Sequence, residues 1–139
     1  MRLGKEGKVD VIKKVPLFSR LSTKRLREIA TLADELDVPA GKVLAKEGDR
    51  GREFFALLDG DVEVEQGGKL LRRMKTGEFF GEIALVTKMP RTATVTAVSD
   101  VRVLVITERD FAFLLKRTPE IGRGVAEALV ERLAPELPV

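Results

Sequence analysis

The segment Val62-Glu63-Val64-Glu65-Gln66-Gly67-Gly68-Lys69-Leu70-Leu71-Arg72 decides the fold class of this chain. Apolar and charged residues alternate before the two glycines, which is the period of a half-buried strand. Gly67-Gly68 then provides a two-residue turn, and a second apolar run follows it. The segment therefore predicts a β-hairpin whose turn sets the register of both strands.

The same texture continues on both sides of the hairpin. Short β-forming runs are separated by Gly, Asp and Pro at intervals of roughly 8 to 12 residues, which is typical of a barrel or a sandwich. The predicted strands are residues 35–38, 42–45, 53–58, 61–66, 69–74, 93–98 and 101–106.

Helical patterns stand at the two ends of the chain. Ser22 is a predicted cap for a helix whose apolar stripe is Leu26, Ile29, Ala30 and Ala33. Thr107 is a predicted cap for a second helix, and Thr118-Pro119-Glu120 is a favourable start for a third. We therefore expect one domain over residues 1–139, with a helical lead-in at 9–33, a barrel at 35–107 and C-terminal helices at 108–134.

The composition excludes several kinds of chemistry. The 139 residues include no Cys and no His, so disulfides, thiolate nucleophiles, Ser-His relays and the usual zinc or iron centres are excluded. We therefore expect a binding module rather than an enzyme, with neither a metal site nor a cofactor. No apolar run is long enough for a membrane span, and we expect a cytoplasmic protein.

Positive charge is concentrated near the start of the chain. Residues 1–27 carry nine Lys or Arg against Glu6 and Asp10, or +7, whereas the whole chain carries +3. A solvated helical face would account for this excess. The alternative is a docking patch for an acidic partner, nucleic acid or anionic lipid.

Residues 79–95, Phe-Phe-Gly-Glu-Ile-Ala-Leu-Val-Thr-Lys-Met-Pro-Arg-Thr-Ala-Thr-Val, interrupt the β rhythm. Gly81 permits a tight turn, and residues 82–86 can form one helical turn whose free N–H groups attract an anion. Arg91 can offer a fork of donors to phosphate oxygens, while the carboxylate of Glu82 can accept from sugar hydroxyls. Alternatively, Glu82 and Arg91 form a simple salt bridge and Gly81 only makes a turn.

Two parts of this segment, Gly81-Glu82-Ile83-Ala84-Leu85 and Arg91-Thr92-Ala93, resemble the phosphate-binding cassette of the cyclic nucleotide-binding domain family. Residues 15–22, 40–49 and 57–64 resemble the helical lead-in and first strands of that family. The resemblance implies a mainly β fold, an antiparallel jelly-roll barrel flanked by N-terminal and C-terminal helices.

The resemblance also implies a role for each cassette residue. Arg91 would bind the exocyclic phosphate oxygens, and Glu82 would accept a hydrogen bond from the ribose 2′-hydroxyl. Gly81 would make the turn, and Ile83 and Ala84 would supply backbone amides. Thr92 would place a hydroxyl near the phosphate or the base, and Ala93 would leave space beside it. Leu129, Val130 and Leu133 are candidate residues for a lid over the base, with core packing as the alternative.

The function implied by the resemblance is a non-catalytic sensor that binds cAMP or cGMP and signals through its end helices. We rank cAMP narrowly ahead, although Thr92 at its position is associated with guanine tolerance. A hydrolase would need a metal or a general base near the phosphate. Because Glu82 is already assigned to the sugar, we do not expect an enzyme. Only about 30 residues follow the barrel, so direct DNA binding is not expected. The alternative is an interaction module with a vestigial pocket that docks an unidentified protein partner through its basic N-terminal face.

Overall fold

The computed structural model describes the backbone of residues 2–133 and the side chains of residues 2–131. The described residues divide into a β unit, Asp34–Glu108, and a helical unit formed by residues 2–33 and 109–133. Within residues 2–133, every helix is too short or too polar to span a bilayer.

The β unit contains eight strands in two antiparallel four-stranded sheets, ordered β1-β8-β3-β6 and β2-β7-β4-β5. Each sheet combines early and late strands of the chain, which is the topology of a jelly roll. The predicted fold class is therefore confirmed, as an open two-sheet jelly roll. The strands are β1 (Asp34–Val38), β2 (Val43–Ala45), β3 (Glu53–Asp59), β4 (Val62–Gln66), β5 (Lys69–Met74), β6 (Phe79–Phe80), β7 (Thr94–Ala97) and β8 (Val101–Thr107).

The hairpin of β4 and β5 follows the sequence prediction closely. Its register runs from Val62 opposite Met74 to Gln66 opposite Lys69, with one irregularity after Val64. Gly67 and Gly68 have φ angles of 59° and 81°, and this left-handed pair closes the two-residue turn.

Strand β6 was not predicted from the sequence. Two residues are too short to show a period, and the strand exists because Phe80 pairs with Phe55 of β3. Their rings stack with centroids 5.0 Å apart. This short strand delivers the chain to Gly81, where the candidate site begins.

The core of the β unit lies between the two sheets. Both sheets contribute buried apolar side chains, including Phe55, Leu57, Val62, Met74, Val95 and Val103. Each fully buried side chain of this size stabilises the fold by about 1.5 to 3 kcal/mol relative to exposure.

The helical unit contains α1 (Lys5–Ile12), a 3-10 turn at Pro16–Phe18, α2 (Thr23–Leu32), α4 (Pro119–Leu133) and all but the first residue of α3 (Glu108–Arg117). The predicted cap of α2 is confirmed, since Ser22 Oγ accepts a hydrogen bond from Arg25 N at 3.3 Å. All four residues of the predicted stripe, Leu26, Ile29, Ala30 and Ala33, are buried. The rings of Phe18 and Phe111, 5.7 Å apart, join the two ends of the chain within this unit.

Candidate ligand-binding site

A cavity of about 390 Å³ opens in the β unit. Its floor is apolar and comes from the strands, with Ala45, Val64, Met74 and Val95 among the lining residues. Its rim includes all seven predicted cassette residues: Gly81, Glu82, Ile83, Ala84, Arg91, Thr92 and Ala93. The structure therefore brings together, around one cavity, residues that the sequence separates by up to twelve positions.

The predicted helical turn is a 3-10 turn at Glu82–Leu85. It begins after Gly81, whose φ of 84° lies in the left-handed region that side-chain-bearing residues avoid. The amide of Ala84 donates to the carbonyl of Gly81 at 3.0 Å, which closes the turn. The amide of Ala84 thus has a partner within the turn, and its contribution to a ligand stays a prediction. The amide of Ile83 stands before this bond in the turn, at a position where helical geometry provides no partner within the turn.

Arg91 is anchored through its main chain and its side chain. Its amide donates to Asp49 O at 2.6 Å, and its carbonyl accepts from Gly48 N at 2.9 Å. Its guanidinium Nη2 donates to the carbonyl of Glu53 at 2.6 Å. This bond holds the guanidinium at the cavity. A salt bridge between Glu82 and Arg91, the alternative considered above, would not explain the bond to the Glu53 carbonyl.

Two glycines make room for the guanidinium. A Cβ on Gly81 would lie 2.5 Å from Arg91 Nη1 and 2.7 Å from Glu53 O. A Cβ on Gly51 would lie 2.9 Å from the Cβ of Ala84 and 3.0 Å from Arg91 Nε. Three of these four distances are below 3.0 Å and the fourth is at 3.0 Å, so a side chain at either position would force its neighbours to shift.

The electrostatics of the site suit an anion. Burial lowers the pKa of Arg91, and the charge of Glu53 partly offsets this effect. An arginine nevertheless remains cationic at neutral pH. Among the described residues, Glu82 is the charged side chain that is buried, with 8% of its surface exposed. A carboxylate is rarely buried unless it has hydrogen-bonding partners, and a role of Glu82 as an acceptor for a ligand stays a prediction.

A family model matches residues 35–118 of the chain, and its description is cyclic nucleotide-binding domain. The chain belongs to this family.

Relatives of the cyclic nucleotide-binding domain occur in proteins of different kinds. The chain is 34% identical over 123 residues to a cyclic nucleotide-gated potassium channel of Rhizobium etli, covering 88% of this chain and 34% of the channel. It is 35% identical over 131 residues to a cAMP-dependent protein kinase regulatory subunit of Mycosarcoma maydis, covering 88% of this chain and 23% of that subunit. The chain thus spans about a third or less of the length of these relatives.

The fold of this domain is also found in a solved structure, the N-terminal domain of a transcriptional regulator from Streptomyces coelicolor A3(2). The two align with a TM-score of 0.82 and 28% identity, covering 91% of this chain and 94% of that domain.

Sequence reasoning missed several residues of this cyclic nucleotide-binding domain's site. Gly51 leaves space for Arg91, and Glu53 holds Arg91 through its main-chain carbonyl, which the residue type does not reveal. Arg72 of β5 also lines the cavity, and its Nη1 lies 3.3 Å from Glu78 Oε1. Arg72 pairs with Val64 of β4, which also lines the cavity. Because paired residues on neighbouring strands face the same side of a sheet, the predicted hairpin could have identified Arg72. Met89 lines the cavity although 62% of its surface is exposed.

The three candidate lid residues of the domain belong to α4 in the helical unit. Val130 is 64% exposed, which excludes core packing for that residue. Leu129 is half-buried, and the side chain of Leu133 lies outside the described residues. A lid role for these residues stays a prediction.

Ion pairs are shown for four of the nine basic residues in the N-terminal region of the domain. Arg20 forms an ion pair with Glu131, Arg27 pairs with Glu6, and Lys13 pairs with Asp10. Arg25 contacts both Glu28 and Glu120. Glu6 and Asp10 are already counted in the net charge of +7, so the carboxylates that pair with Arg20 and Arg25 are the ones that reduce the excess further.

Proposed function

We propose that this domain is a sensor that binds a cyclic nucleotide in the cavity of its β unit. The observation that carries the proposal is the anchored guanidinium of Arg91, which stands on the cavity rim together with the 3-10 turn and the buried carboxylate of Glu82. The cation and the amides of the turn suit a cyclic phosphate, while Glu82 suits the ribose 2′-hydroxyl. The apolar floor suits the hydrophobic faces of a nucleotide.

The required affinity defines how many of these groups must act. One hydrogen bond between charged groups contributes about 1.5 to 3 kcal/mol, whereas micromolar binding needs about 8 kcal/mol. Arg91 therefore cannot act alone. The amides of the turn, Glu82 and burial of the base against the cavity must supply the remainder.

The choice between cAMP and cGMP depends on the base. The sequence ranks cAMP narrowly first, but Arg72 and Thr92 on the cavity rim favour cGMP as a second candidate. Guanine presents two acceptors, O6 and N7, which match the fork of an arginine, whereas adenine presents a donor in place of O6. Replacing Arg72 with Met keeps much of the length and removes the donors. If Arg72 reads guanine, this change weakens cGMP binding by about tenfold and leaves cAMP binding unchanged.

Titration calorimetry tests the proposed function. The wild-type protein is titrated with cAMP and with cGMP, and Arg91→Ala, Arg91→Lys and Arg73→Ala follow under the same conditions. Arg73 is the matched control, because it is an exposed arginine paired with Glu63 and does not line the cavity. Saturable heat that is retained in Arg73→Ala, reduced in Arg91→Lys and lost in Arg91→Ala supports the proposal. No heat from the wild-type protein with either ligand overturns it.

We further propose that binding changes the pose of the end helices and that the ligand is not consumed. The 3-10 turn at Glu82–Leu85 contacts the ligand in this proposal and can change conformation with it. Hydrogen exchange of the helical unit should change when ligand saturates the protein, and chromatography should recover the ligand intact. Unchanged exchange contradicts the signalling step, and hydrolysed ligand contradicts the non-catalytic role.

A further inference from the structure

The end of the cassette lies just beyond the last rung of a β-ladder. Strand β7 pairs with β4 from Ala97 opposite Val62 to Thr94 opposite Glu65, and residues 91–93 lie outside any strand. Thr92, the candidate contact to phosphate or base, is exposed in this stretch. Regular sheet pairing therefore does not hold Thr92.

Hydrogen bonds from side chains hold the chain beyond the end of the β4–β7 ladder. Gln66, the last residue of β4, donates from Nε2 to the carbonyl of Thr92 at 3.0 Å. The Oγ1 of Thr94 accepts from the amide of Glu47 at 3.0 Å. The carboxylate of Glu47 in turn accepts from the amide of Gly67 at 3.0 Å. These three bonds tie the tip of the β4–β5 hairpin, the segment after β2 and the cassette end into one network.

We propose that Gln66 and Glu47 form a hairpin clamp that positions Thr92 for the ligand. The inference rests on the proposed function, because it assigns positioning residues to that same site. The clamp complements the anchor of the neighbouring residue: Arg91 is held from the 48–49 segment, whereas Thr92 is held from the hairpin. Two adjacent ligand contacts thus have separate supports, and each support can be removed without the other.

The bonds are exposed, so their effect on ligand binding is moderate. A hydrogen bond of this kind contributes about 0.5 to 1.5 kcal/mol, which corresponds to about a two- to tenfold change in affinity. We expect Gln66→Met, which keeps the length of the side chain and removes the donor without adding charge, to weaken binding of the preferred cyclic nucleotide by about three- to tenfold. Glu47→Leu should have a similar effect. Glu47→Gln keeps an acceptor oxygen for Gly67 N and should rescue the affinity.

A double-mutant cycle distinguishes positioning from general destabilisation. If Gln66 acts through Thr92, Gln66→Met adds little to the loss in a Thr92→Val protein, because the contact that it positions is already absent. If the two losses simply multiply, Gln66 does not act through Thr92 and the inference is overturned.

Hydrogen exchange of the ligand-free protein tests the clamp without any ligand. Gln66→Met should speed exchange at the amides of Glu47 and Gly67 by several-fold and leave the amide of Gly48, which bonds to Arg91 O, unchanged. Unchanged exchange at the amides of Glu47 and Gly67 overturns the clamp even if the protein binds cyclic nucleotide. A wild-type protein that binds neither cAMP nor cGMP instead overturns the proposed function, and the exchange result still reports whether the hairpin holds the cassette.

Discussion

Gly51→Ala is the perturbation that addresses the site most directly, since it adds one methyl group behind Arg91. The new Cβ would lie 2.9 Å from the Cβ of Ala84 and 3.0 and 3.1 Å from Nε and Cζ of Arg91. Ala84 can move little, because its amide is bonded to Gly81 O within the 3-10 turn. The guanidinium is the more mobile neighbour, so we expect it to shift and to lose its 2.6 Å bond to the carbonyl of Glu53.

The magnitude follows from these contacts. Overpacking of this kind costs about 1 to 3 kcal/mol of stability. In the proposed function, a shifted guanidinium also loses its charged hydrogen bond to the ligand phosphate, which contributes about 1.5 to 3 kcal/mol. Cyclic nucleotide affinity should therefore fall by about 10- to 150-fold while the protein remains folded.

Calorimetric titration at a temperature well below the unfolding transition measures this effect, with thermal unfolding recorded on the same sample. Gly4→Ala is the matched control, because a Cβ at Gly4 meets no atom within 4 Å and should leave the affinity unchanged. A folded Gly51→Ala protein that binds within about twofold of wild type would refute the reasoning, since the anchored pose of Arg91 would then not matter for binding.

Three further outcomes are expected. Replacing Glu82 with Gln should weaken cAMP or cGMP binding by about tenfold. It should barely change binding of the 2′-deoxy analogue, which lacks the hydroxyl that Glu82 is proposed to bind. Equal losses for both ligands in calorimetry would contradict the ribose contact of Glu82. In α4, Gly122→Ala should raise the free energy of unfolding by about 1 kcal/mol, because its Cβ would meet only Leu115 Cδ2 at an ordinary 3.8 Å. Gly124→Ala should gain less in the same denaturant titration, because its Cβ would lie 2.6 Å from Leu21 Cδ2, and equal gains would contradict this packing. Cyclic nucleotide affinity should show no inflection between about pH 6 and 8, because the chain has neither His nor Cys. Burial lowers the pKa of Arg91, but from a value far above this range. An inflection in a pH series of titrations would count against Arg91 as the anion contact.

Local pattern was sufficient to predict most elements of this chain. The Gly67-Gly68 hairpin and the Ser22 cap are formed by residues close in sequence, so their signals are complete within a short window. Strand β6 escaped prediction because its two residues form a strand only through their pairing with β3. The bond from the Ala84 amide to Gly81 O was not predicted, because a helical turn was expected where a tighter 3-10 turn forms.

The sequence by itself determined the fold class and the set of cassette residues, because β periodicity, turn glycines and a short motif are local properties of the chain. Only the tertiary structure decided how Arg91 is held, since the carbonyl of Glu53 and the space left by Gly51 come from a strand and a loop about forty residues earlier. It also decided that Arg72 lines the cavity and that Gln66 supports Thr92. A main-chain acceptor or an absent side chain leaves no trace in residue type, and such contacts become visible only when the folded chain brings distant segments together.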